Sequence, residues 1–75
     1  MKALLNILNE LHPDIDFETQ EGLIDNMILD SFDIVSLVAG IHEEYGVAVT
    51  AEKIVPENFN SAKALYALIQ ELEEN

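Results

Sequence analysis

Residues 28–46, Ile28-Leu29-Asp30-Ser31-Phe32-Asp33-Ile34-Val35-Ser36-Leu37-Val38-Ala39-Gly40-Ile41-His42-Glu43-Glu44-Tyr45-Gly46, govern how the rest of this chain must pack. With Ser31 at zero and about 100° per residue, Ile34, Leu37, Val38, Ile41 and Tyr45 share one stripe, which predicts an amphipathic helix facing a core. Asp33, Ser36, Gly40, Glu43 and Glu44 fall on the far side, where Gly40 and Ala39 are expected to leave space. Phe32, Val35 and Ala39 also lie outside the stripe, so water or a partner must receive them. Gly46 is placed to end the helix in the left-handed conformation that other residues resist.

Asp30 and Ser31 stand at the mouth of this helix. Either can cap it by accepting a hydrogen bond from an unpaired amide, and Asp33 follows Asp30 at the spacing of a capping box. Ser31 also admits a second role. A hydroxyl there is exposed and pre-oriented, and the amides and positive dipole end of the helix favour a phosphate-linked group attached to it.

Seventy-five residues make one domain, 1–75, with a modest core and little room for an internal catalytic cleft. Fifteen acidic residues against three Lys and no Arg give a formal net charge of −12. That charge repels nucleic acid phosphates and anionic lipid and attracts basic patches on other proteins, so neither nucleic acid binding nor membrane insertion is expected. The absence of cysteine excludes disulfide staples, thiolate metal sites and thiol catalysis. Met1-Lys2 precedes an apolar-periodic segment with Asn6, Asn9 and Glu10, unlike a signal peptide or a membrane span, so a cytoplasmic monomer is expected.

Leu4, Ile7, Leu8 and Leu11 predict a first helix over 2–12, stopped by Pro13. His12 at its end is expected to favour the negative end of the dipole. The connection 13–29 is long and needs anchors, for which Ile15, Phe17, Leu23, Ile24, Ile28 and Leu29 qualify, with a helical turn near 21–26. Its acids lack the glycine and terminal Glu of a calcium loop, so no metal site is assigned. After a short extended piece at 47–49, Thr50 is placed to cap a brief turn, 51–55, closed by Pro56. Asn60 or Ser61 then caps a final helix that buries Ala62, Leu65, Leu68, Ile69 and Leu72, with Tyr66 at its edge. The outline is an all-α bundle of three principal helices plus one short helix.

Catalysis is not expected. Eleven residues of helix put Ser31 and His42 roughly 16 Å apart, too far for a nucleophile and its base. Gly-rich phosphate loops and HExxH motifs are lacking.

Leu29-Asp30-Ser31-Phe32-Asp33-Ile34-Val35, followed by Leu37-Val38 and Ile41-His42-Glu43-Glu44-Tyr45-Gly46, resembles the modification site and second helix of acyl carrier proteins and related carrier domains. Pro56-Glu57-Asn58-Phe59-Asn60-Ser61 is similar to the stretch before their last helix, and the likeness runs over nearly the whole chain. The resemblance implies an acyl-carrier-like bundle in which Ser31 receives 4′-phosphopantetheine from coenzyme A through a phosphopantetheinyl transferase. The chain would then ferry acyl groups as thioesters, in fatty-acid or other lipid metabolism, between enzymes with basic docking patches. Asp30 and Asp33 would frame the site, Phe32, Val35 and Ala39 would contact partners, and Glu43 and Glu44 would steer them.

Phe32 stands where fatty-acid carriers usually have Leu, and Ser36 and His42 stand where acids are common. Asp30-Ser31-Phe32 also resembles carriers that load D-alanine, and Pro56-Glu57-Asn58-Phe59 resembles carriers of peptide and polyketide assembly. An aminoacyl or specialised carrier is therefore the alternative within this class. An acidic helical adaptor, docking through Phe32, Val35 and Ala39 with Ser31 unmodified, is the alternative outside it.

Overall fold

In a computed structural model, which describes residues 1–74, helix α1 spans Lys2–Leu11, α2 Ser31–Tyr45, α3 Pro56–Phe59 and α4 Ala62–Glu74. The fold is a small all-α bundle of three principal helices plus a short one, as the periodicities predict. The helices are amphipathic and bury their stripes on one another. Leu4 and Leu8 of α1, Leu37 and Ile41 of α2, and Leu65, Leu68 and Ile69 of α4 are essentially inaccessible. Ile34, Val38 and Tyr45 complete the α2 stripe from its edge, as Tyr66 and Leu72 do for α4. No helix among the described residues is long and apolar enough to cross a membrane.

Gly46 ends α2 at φ 70°, with its amide donating to the His42 carbonyl at 2.9 Å. Gly40, assigned by periodicity to the open side, instead lies against α1. A Cβ at Gly40 would sit 3.1 Å from Cγ2 of Ile7. Glycine spares the Ile7 side chain a tight contact that a methyl at this position would relieve only by shifting it a few tenths of an ångström, a packing reason for tolerating glycine inside a helix.

The long connection is held by side chains in the core and by one distant residue. Phe17, Leu23 and Leu29 are buried, and Ile15, Ile24 and Ile28 pack against them. Around residues 22–29 the chain makes a tight turn: Asn26 N donates to Gly22 O, Met27 N to Ile24 O, and both Ile28 N and Leu29 N to Leu23 O. Asn60 receives this turn. Its carbonyl accepts from Leu23 N at 2.9 Å, and its side-chain Oδ1 accepts from Ile24 N at 2.9 Å and Asp25 N at 3.2 Å. Its Nδ2 donates to Asp25 Oδ2 at 2.9 Å. The role of capping α4 therefore falls to Ser61 alone, whose Oγ accepts from Ala64 N at 3.0 Å.

The segment after α2 departs from expectation in two respects. Thr50 precedes a single 3₁₀ turn, Ala51–Lys53, without a side-chain hydrogen bond to it. Pro56 opens the short helix instead of closing one, because its fixed φ suits a first helical position where the missing N–H is not needed.

The Tyr45 hydroxyl is sealed from solvent with no hydrogen-bond partner among the described residues. Burial raises its pKa, outweighing the neighbouring Leu4 backbone, which favours the phenolate. The Leu4 amide does not reach good hydrogen-bond geometry, so the buried hydroxyl carries a desolvation cost that phenylalanine would lack, and Tyr45→Phe is expected to match or exceed the wild-type unfolding temperature. Asn60→Ala should do the reverse. It strands the half-buried Ile24 amide and should cost about 1–2 kcal/mol, or roughly 5–15 °C in Tm, with faster amide exchange at Ile24.

Candidate functional site

The candidate site is the start of α2, and its geometry follows from which residue caps the helix. Asp30 is the cap. Its Oδ1 accepts from Asp33 N at 2.9 Å, while Asp33 Oδ2 accepts from Asp30 N at 3.2 Å, closing a reciprocal capping box. Ser31 is thereby released from the capping role and becomes the first residue of the helix. It is exposed, and its hydroxyl enters no hydrogen bond among the described residues.

Asp33 is fastened from a second side. His12, the residue that ends α1, donates its amide to Leu8 O and directs its ring across to α2, placing Nε2 2.8 Å from Asp33 Oδ2. The ring also leans on the buried Phe17 at a centroid distance of 6.5 Å. Composition offers a reading of His12 as a dipole partner for its own helix, whereas the structure makes it the bridge between the end of α1 and the cap of α2. Sequence reasoning had no route to this pairing, because the two residues are 21 positions apart. The only legible signal is that both sit at helix ends.

Burial alone pushes the Asp33 carboxyl up. The hydrogen bond from His12, the Asp30 amide and the His12 charge together outweigh it, so Asp33 titrates below its ordinary value of 3.8. Its side chain is only 16% exposed, so this carboxylate serves the interior of the site more than its surface. Asp30 differs. It is exposed, and its second carboxylate oxygen makes no bond among the described residues.

Phe32 is 83% and Val35 68% exposed, and Ala39 is exposed beside them. Together with Ser31 they occupy an arc of roughly 100° on the outer side of α2. Glu43 follows Ala39 by one helical turn, but Glu43 and Glu44 are both far from Ser31. They lie about 18–20 Å from Ser31 along the helix axis and line a shallow groove between α1 and α2 with Gly40, Glu10 and Ile7. One turn beyond Ser31, Ile34 enters the wall of an apolar recess of about 210 Å³ completed by Ile24, Ile54, Val55, Pro56 and Phe59.

Neither histidine is hydrogen-bonded to the Ser31 hydroxyl among the described residues, and His12 is engaged by Asp33. His42, the other histidine of the chain, points its Nδ1 to the Val47 carbonyl at 3.3 Å. No protein-family model, curated protein or solved structure matches the chain.

His12→Ala is expected to lower stability by about 1–2 kcal/mol near pH 6, because a half-buried carboxylate loses its partner. The sign of the pH dependence follows from Asp33. A folded value below the ordinary one contributes stability above about pH 4 that disappears as pH falls through the folded value. Chemical denaturation from pH 6 to pH 2.5 should therefore show the gap between wild type and His12→Ala closing on acidification.

Proposed function

We propose that this chain is an acyl carrier that bears its cargo as a thioester on a 4′-phosphopantetheine arm attached to Ser31. The observation that carries the reading is the division of labour at the start of α2. Asp30 and Asp33 satisfy the helix end between them, and the serine hydroxyl beside them is exposed and unbonded. A serine needed only for structure would be expected to cap the helix, and this one does not.

Attachment is a phosphoryl transfer performed by the transferase. The Ser31 oxygen forms a bond to the pantetheine-bearing phosphorus of coenzyme A as the pyrophosphate P–O bond breaks. The serine proton passes to a base of that enzyme, and adenosine 3′,5′-bisphosphate leaves. The chain's own contribution is electrostatic and steric. The amides of Ser31 and Phe32 at the positive end of α2 favour the resulting phosphodiester, and the His12 bridge offsets part of the Asp33 charge that would oppose it. Phe32 and Val35 give enzymes an apolar contact beside the arm. The recess lined by Ile34 and Phe59 supports an apolar cargo resting near its attachment point.

An adaptor docking through Phe32 and Val35 would use the same exposed face but has no need of a free hydroxyl.

Intact mass after incubation with a phosphopantetheinyl transferase and coenzyme A tests the reading. One arm per chain is expected for wild type and none for Ser31→Ala. Since the hydroxyl makes no hydrogen bond among the described residues, Ser31→Ala should keep its stability within roughly 0.5 kcal/mol. A wild-type chain left bare by a transferase that modifies a control carrier would favour the adaptor.

A further inference from the structure

We propose that Met27 is a docking contact for the enzyme that modifies Ser31, a side chain held outward by a left-handed turn four residues before the serine; this rests on the carrier reading. Met27 has φ 58°, and among the described residues the other positive φ values belong to Gly22 and Gly46. Left-handed backbone crowds any Cβ, and methionine has no short polar side chain to compensate locally, as Asn or Asp would. Glycine would meet the demands of this turn with less strain. The core does not account for the methionine either, since its side chain is 87% exposed.

The turn is nonetheless firmly held. Leu23 and Leu29 on either side are buried, the Met27 amide donates to Ile24 O at 3.0 Å, and Asn60 fixes residues 23–25 from across the fold. Met27 is thus presented on a rigid base, and a partner that meets it has little backbone to order. The three large apolar side chains more than 60% exposed are Met27, Phe32 and Val35. They fall within nine residues of sequence and bracket Ser31.

Charge selects the occupant. Between Lys2 and Lys53 the chain contains no Lys or Arg, and Asp25 and Asp30 stand close to Met27 in sequence. The complementary surface is an apolar pocket rimmed by Lys and Arg beside the partner's catalytic centre. The unbranched thioether adapts to such a pocket.

The test is the kinetics of arm transfer from coenzyme A by a phosphopantetheinyl transferase to the full chain, with thermal unfolding measured alongside. Met27→Gly and Met27→Asn both suit the left-handed turn and remove the apolar side chain. Each should raise KM about tenfold with kcat little changed and with the unfolding temperature equal to or above wild type. Met27→Leu, which keeps apolar bulk, should stay within about twofold of wild type. A modified wild type with the same KM as Met27→Gly and Met27→Asn overturns the Met27 contact and leaves the carrier reading standing. Unfolding of both variants makes the side chain structural and also overturns it. A wild-type chain that accepts no arm overturns the carrier reading and this proposal together.

Discussion

The hydrogen bond from His12 to Asp33 joins the last residue after α1 to the first turn of α2, and the placement of Ser31 depends on it. Asp33 accepts from His12 and from the Asp30 amide with the same oxygen, so one carboxylate ties two helix ends together. Asp30 in turn occupies the amide that a serine at this place would otherwise take. The free hydroxyl is therefore a consequence of polar groups being satisfied elsewhere, since unpaired donors at a helix start seek the nearest oxygen.

A core this small leaves function to the surface. The three principal helices spend their apolar stripes on one another, and Phe32, Val35 and Met27 remain outside in a strongly acidic stretch. The negative charge around these apolar side chains repels further copies of the same chain at long range. The same acids keep the exposed apolar groups from promoting indiscriminate association. Glu43 and Glu44 belong to this general field at the far end of α2, beside the α1–α2 groove.

Much of the local structure was legible. The stripe of Ile34, Leu37, Val38, Ile41 and Tyr45, the left-handed Gly46, the Asp30–Asp33 spacing and a cap at Asn60 or Ser61, which the structure gives to Ser61, are all set by neighbours within one or two turns. The exposure of Phe32 and Val35 could also be read, because a helix has only one buried face. Gly40 was misplaced for a related reason. Periodicity gives an angle about the helix axis, and only the position of α1 shows that this angle meets Ile7. Pro56 was misread because proline fits both the residue after a helix and the first residue within one.

The sequence by itself determined which segments become helices, which faces they bury, and that one serine stands at the mouth of the central helix. Those properties follow from short-range hydrogen bonds and the 3.6-residue period, which the order of residues encodes directly. Tertiary structure alone decided that His12 fastens Asp33, that Asn60 takes the amides of residues 23–25, and that Met27 is held outward by a left-handed turn. The first two depend on which helix ends and loops meet once the core closes, packing between residues 21 to 37 positions apart, and the turn that holds Met27 is anchored by the same Asn60 contacts.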